Sequence, residues 1–177
     1  LMIAFLTTVC CLLISILGSY AMTRLKYPGR RFFKTSIIFS YLIPTAVLFV
    51  PMYVFVSKLG FYDNKWALLI IYPTTVVPYC CYMLMSYFKA IPYALEEAAL
   101  IDGCTRMKSL RYIITPIALP GIAVVATFAF TMSWNEYLYA MIMTTSPAQQ
   151  TAVVAISSFK YADSAIWGRI MAASVLT

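Results

Sequence analysis

The side chains able to do chemistry are few and unevenly placed. The 177-residue chain has no histidine, six aspartates and glutamates, and five cysteines. Without imidazole, histidine general bases and histidine metal sites are excluded. Cys10–Cys11 and Cys80–Cys81 are adjacent pairs inside apolar runs, and Cys104 stands alone in a polar loop. Neighbouring cysteines on a helix point in different directions, and no CxxC spacing occurs. They read as small buried apolar residues, without redox or metal function.

Three of the six acids lie in one stretch, Lys89 to Pro120: KAIPYALEEAALIDGCTRMKSLRYIITPIALP. Pro92 suits the first turn of a helix, where its missing N–H costs nothing. Glu96 and Glu97 fall early in that helix, where the backbone dipole favours negative charge. Gly103 suits a left-handed helix end. The spacing therefore predicts a short helix over about 92–103, followed by a second that starts near Thr105 and carries Arg106, Lys108 and Arg111. A short helix, acidic and small on one face, has the shape to fill a groove on a partner. The alternative is an amphipathic helix lying on the bilayer, but an anionic leaflet attracts basic residues rather than carboxylates. Glu96 reads as a solvated charge.

The elements that position this loop are membrane spans. Apolar residues make up 63% of the chain, charged residues only 11%, and the mean hydropathy is +0.85, far from soluble usage. Uncharged stretches cover 1–23, 35–57, 66–88 and 112–135, each long enough for the ~20 residues that a ~30 Å hydrocarbon core needs. A fifth apolar run begins at about 168 and stops with the sequence. The expected fold is all-α: a polytopic membrane bundle of four full transmembrane helices plus the start of a fifth. No charged n-region or small-residue cleavage site opens the chain, so the sequence reads as a fragment of one longer membrane domain.

Lysine and arginine set the orientation. Nine of the thirteen lie in segments 24–34 and 89–111, against Lys58, Lys65, Lys160 and Arg169 on the other side. Both basic segments are thus expected in the cytoplasm. The net charge of +7 is topogenic and does not point to nucleic acid. Tyr62, Trp66, Tyr87, Tyr93, Tyr112, Trp134, Tyr137 and Tyr139 lie near span ends, as an interfacial aromatic belt does. Pro44, Pro51, Pro73, Pro78, Pro116 and Pro120 are expected to kink the helices.

Tyr72, Thr75, Tyr79, Tyr82 and Ser86 are spaced 3, 4, 3, 4, which keeps them on one helix face. Thr127, Thr131 and Asn135 form a weaker stripe on the next span. Hydroxyls facing lipid lose hydrogen bonds, so these faces should look toward protein or water. Two readings fit: a polar seam between helices, or a solute pathway in which aromatic faces stack on sugar rings. Glu136 is either a solvated interfacial charge or functional, and segment 144–151 reads as a polar loop open to a binding protein.

Glu97-Ala98-Ala99, three residues to Gly103, nine to Ile113 and Pro116 three beyond that reproduce the EAA spacing, EAA-x3-G-x9-I-x-L-P. The chain thereby resembles the membrane subunits of bacterial ABC importers, with Thr115 in place of the usual leucine. SYAMTRLKYPGRR, IPYALEEAALIDG and WNEYLYA look similar to the maltose-type carbohydrate permeases. The resemblance implies that the 92–103 helix is a coupling helix seated on a separate ATPase subunit. In it Glu97 supplies the polar contact, Ala98 and Ala99 the close packing and Gly103 the turn; Asp102 caps or braces the next helix, and Ile113 and Pro116 complete the motif. It also implies an ATPase dimer carrying ATP and magnesium, a second permease subunit, similar or identical, an extracellular or periplasmic solute-binding protein, and residence among the lipids of a bacterial inner membrane. None of the six glycines precedes a lysine, so no GxxxxGK[ST] phosphate loop exists here, and no cofactor is expected in this chain. The solute is expected to be a sugar or oligosaccharide; the alternative is a sugar phosphate, polyamine or peptide. A membrane-embedded enzyme needs catalytic groups within the bilayer, and an ion-coupled carrier needs mid-membrane charges; the span interiors hold neither.

Overall fold

The computed structural model describes residues 1–159 and 167–176; Lys160 lies outside the described residues. Among these the chain is helical, with no strand. The helices are α1 (Met2–Arg24), α2 (Arg30–Leu42), α3 (Thr45–Lys58), α4 (Leu68–Ala90, entered through a 3-10 turn at Lys65–Ala67) and α5 (Tyr93–Ile101). Then follow α6 (Arg106–Ile117), α7 (Leu119–Trp134), α8 (Leu138–Met143), α9 (Ala152–Ser158) and α10 (Trp167–Leu176). The apolar run expected from about 168 is α10.

α1, α4 and α7 pack together as the central bundle, and α2 lies along α4. The main core interdigitates Cys11 and Tyr20 of α1, Val76, Cys80, Leu84 and Phe88 of α4, and Ile122, Val125 and Ala129 of α7. Small residues let the backbones approach: the Ser19 hydroxyl donates to the Cys81 carbonyl at 3.1 Å, and Gly121 lies against the Tyr87 ring. Cys11, Cys80 and Cys81 are buried free thiols as expected, but Cys10 is exposed, because α1 presents only one face to the bundle.

In the spans 35–57 and 112–135 the kinks expected at Pro44 and at Pro116 and Pro120 are sharp breaks. α2 and α3 meet at a bend of 100°, where Ile43 is extended ahead of Pro44 (φ −72°, ψ 123°). The proline ring forbids the helical region to the residue before it. α6 begins at Arg106 rather than 112 and meets α7 at 81°. Within α6, residues Leu110–Ile114 wind as a π-helix just before Pro116, a widening that accommodates a ring with no N–H to donate. Pro51, Pro73 and Pro78 are carried inside unbroken helices. α1 and Lys65–Ala90 are each long and apolar enough to cross a membrane, and counting each bent pair as one span gives four.

Candidate functional site

The acidic helix occupies Tyr93–Ile101, narrower than 92–103, with Pro92 immediately before its first turn. Its end is built by Gly103 at φ +83°: the Cys104 N–H donates to the Ala99 carbonyl at 2.9 Å and the Gly103 N–H to Leu100 at 3.2 Å. These two bonds close the helix end in the paired pattern that a left-handed residue permits. One face of α5 is inside, with Glu96 and Ala99 three residues apart and both buried. Glu97, Ala98, Ile101 and Asp102 are exposed, and Ile101 is 85% exposed.

Glu96 is the main difference from the sequence reading. It is 4% exposed, and its Oε1 accepts the Tyr20 hydroxyl at 2.5 Å. The Arg24 Nε lies 3.9 Å from its Oε2 and the Arg106 Nη1 3.9 Å from Oε1, ion pairs beyond hydrogen-bond reach. The sequence alone reads Glu96 as a solvated charge. α5 instead packs its inner face on the bundle, and a buried carboxylate must be paired to persist there.

Arg24 closes the arrangement from α1. Its side chain is fully buried, its Nη2 donates to the Ile91 carbonyl at 2.6 Å and to Phe88, and its guanidinium stacks on the Tyr93 ring, 4.2 Å from the centroid. It thereby caps the last carbonyls of α4, as a cation at a helix C-terminus does. Arg30 does the same for α1, donating to the Met22 and Thr23 carbonyls at 2.8 and 2.6 Å, and the Tyr93 hydroxyl donates to Thr23 at 2.6 Å. Tyr93 is therefore a tie between helices, although it is 48% exposed.

Three further placements adjust the reading of this loop. Asp102 does not cap the next helix: Thr105 does, its Oγ1 accepting the Lys108 N–H at 3.3 Å, because the turn at Gly103 leaves Asp102 exposed at the end of α5. Ala99 packs inward on its own chain, so of the two alanines only Ala98 faces out. Ile113 is half-buried and Pro116 exposed on α6. Sequence reasoning missed Tyr20 and Arg24; their i, i+4 spacing at the polar end of an apolar helix was the available signal.

The two hydroxyl stripes differ in exposure, and α4 reaches α7 through Tyr79 and Phe128. Tyr72 is buried, Thr75 and Tyr79 are half-buried, and Tyr82 and Ser86 are exposed. Thr127, Thr131 and Asn135 are exposed on α7, with the threonine hydroxyls bonded back to Ala123 and Thr127 at 3.0 and 2.8 Å. The Tyr79 ring lies between Tyr41 (5.6 Å between centroids) and Phe128 (5.9 Å). The Tyr72 hydroxyl is buried beside the Glu136 carboxylate without completing a hydrogen bond to it. Glu136 itself accepts from the Tyr139 and Ala140 N–H groups at 3.1 and 3.2 Å and so starts α8.

At the opposite end from α5, Asp63 holds segment 144–151 in place. Its Oδ1 accepts the Thr145 and Ser146 N–H groups, both at 2.8 Å, and its Oδ2 the Ser146 hydroxyl. Those bonds, the Ser146 hydroxyl first, hold its carboxyl below the usual carboxylate range. Among the described residues no cluster of three metal-ligating side chains occurs.

The chain is a bundle of apolar helices of spanning length with one short acidic helix beside it. Residues 2–177 match the family described as the binding-protein-dependent transport system inner membrane component, and the chain belongs to that family. It is 36% identical over 177 residues to the inner membrane ABC transporter permease protein YcjP of Escherichia coli, covering 100% of this chain and 63% of that one. It is 35% identical over 175 residues to the sulfoquinovosyl glycerol transport system permease protein SmoH of Agrobacterium fabrum, covering 99% and 61%. To the trehalose/maltose transport system permease protein MalG of Thermococcus litoralis it is 34% identical over 178 residues, covering 100% and 64%. The chain thus spans less than two thirds of these relatives. The crystal structure of a bacterial ABC transporter involved in the import of the acidic polysaccharide alginate shares the fold, with a TM-score of 0.78 at 24% identity over 88% of this chain and 54% of that one.

Proposed function

We propose that this chain is part of one permease subunit of an ABC importer that takes up a sugar or oligosaccharide by alternating access. In this reading a separate ATPase dimer, which binds ATP and magnesium, docks on the outward face of α5, with Glu97 as the polar contact and Ala98 and Ile101 as the apolar ones. Gly103 sets the angle at which α5 is offered. A second permease subunit completes the pore, and a solute-binding protein delivers the solute from outside. Segments 24–34 and 89–111 face the cytoplasm of a bacterial cell, and the subunit sits in its inner membrane.

The observation that carries the reading is the two-sidedness of α5. Its inner face is bonded to α1, while Glu97, Ala98, Ile101 and Asp102 are left for a partner. Ile101, 85% exposed, adds an apolar side chain to that outer face. Support for a sugar comes from the relatives named for trehalose, maltose and sulfoquinovosyl glycerol transport, and from the aromatic cluster of Tyr41, Tyr79 and Phe128.

Two experiments test it. Glu97→Arg is expected to abolish co-purification of the ATPase and solute uptake while membrane insertion persists; uptake that survives defeats the docking assignment. Single cysteines placed along Thr75, Tyr79, Tyr82, Thr127, Thr131 and Asn135, in a background without the native cysteines, are expected to react with a water-soluble thiol reagent and to be protected by the transported sugar. Silence at all six positions in every nucleotide state rules out the pathway.

A further inference from the structure

We propose that Glu96 is a positioning residue that fastens α5 to the end of α1, so that a displacement imposed on α5 is delivered to α1 as well as to its neighbours in the chain. This rests on the reading of α5 as the helix that a partner ATPase moves. α5 is joined covalently to α4 through Ile91 and Pro92 and to α6 through residues 102–105. Movement therefore reaches those two helices along the backbone. α1 precedes α5 by some seventy residues of sequence and has no such route, although it packs along both α4 and α7.

What joins α5 to α1 is a small set of polar contacts, those of Glu96 buried and that of Tyr93 part-buried. Tyr20 and Arg24 are four residues apart on α1 and so share a face. Both meet Glu96, one by its hydroxyl and one by its guanidinium. Tyr93 adds a second bond from α5, to the Thr23 carbonyl. Arg24 also holds the Phe88 and Ile91 carbonyls, so the same cation ties α1 to the end of α4. A carboxylate that is 4% exposed and paired to two arginines cannot slide along α1 without leaving a charge unpaired in the interior. That cost makes the end of α1 and the inner face of α5 move as one body. A merely structural packing contact has no comparable penalty for slippage.

The test uses the whole transporter in proteoliposomes and reads solute moved per ATP hydrolysed. Glu96→Gln keeps the shape and one acceptor for Tyr20 but removes the charge. Tyr20→Phe/Tyr93→Phe keeps both rings and removes both hydroxyls. Each is expected to insert, to retain the ATPase through purification and to hydrolyse ATP, while solute per ATP falls about tenfold, the scale of a residue that carries coupling. Either variant holding the ratio within about twofold of the unaltered transporter, or shedding the ATPase, overturns the proposal. If Glu96→Gln fails to insert, the tyrosine pair decides by the same criterion. An unaltered transporter whose ATP hydrolysis ignores the loaded binding protein defeats the permease reading itself. A stimulated one whose variants stay tightly coupled defeats only the role of Glu96.

Discussion

The hydroxyl of Tyr20, near the end of the first helix, donates to the carboxylate of Glu96 on α5 at 2.5 Å, across 76 residues of sequence. That bond is flanked by two cations of different standing. Arg24 is fully buried, whereas the Arg106 side chain is 58% exposed.

The two arginines should therefore differ in worth. Removing one partner of a buried pair costs roughly 3–5 kcal/mol, and Arg24→Ala also uncaps the Phe88 and Ile91 carbonyls. An exposed pair is worth about 0–1 kcal/mol, so Arg106→Ala should be nearly neutral. Thermal unfolding in detergent compares them; equal losses disprove the assignment of Arg24 as the buried anchor.

Gly103 stands at φ +83° with nothing within 4 Å of where a Cβ would lie. Substitution there thus costs backbone strain alone. Gly103→Ala should lose about 1–2 kcal/mol, the left-handed penalty of an L-residue. Gly103→Pro should be worse, because its φ is fixed near −65°. Melting curves that rank the alanine variant with the parent refute the turn as the cause.

Gly121 tests packing instead. A Cβ there lies 2.5 Å from the Tyr87 ring, at its base rather than at a flexible tip. Gly121→Ala is expected to destabilise by about 1–3 kcal/mol. Adding Tyr87→Ala should return part of that loss, since neighbours in contact are not additive. A double variant whose losses simply sum means that α4 and α7 are not in contact at this point.

Asp63 gives a pH dependence. Its carboxyl is held below the usual range by Ser146 and Thr145. A depressed folded-state value means that the contribution is present above the unfolded value, near ~4, and is lost as pH falls through the folded one. Protection of the Thr145 and Ser146 amides, taken relative to their intrinsic exchange rates, should fall below about pH 4, and Asp63→Asn should remove that dependence. Protection that stays constant across the acidic range argues against Asp63 as the tether.

Much of this was legible in the residues, and the misses share a cause. The acidic helix, the Gly103 turn and the helical bundle follow from local chemistry: a proline, a glycine and apolar runs of spanning length. The bend at Ile43 follows from Pro44 once the proline is taken as a break rather than a kink. Glu96 was misread because its burial depends on Tyr20 and Arg24, which no local pattern ties to it. Arg24 was read as one basic residue among nine for the same reason: charge counting cannot separate a solvated cation from one sealed beneath a carboxylate. Sequence placed Tyr72 with the other hydroxyls of its stripe, but packing against α8 withdrew it from them.

The alternation of faces on α5 has a consequence for how such transporters diversify. Glu96 and Ala99 answer to the chain's own helices, while Glu97, Ala98, Ile101 and Asp102 are free of them. If the ATPase docks on α5 as proposed, the outer four can drift with whichever engine the subunit is paired to, leaving the inner anchorage untouched. Chimeras that exchange those four positions alone should trade one motor for another while keeping the same cargo.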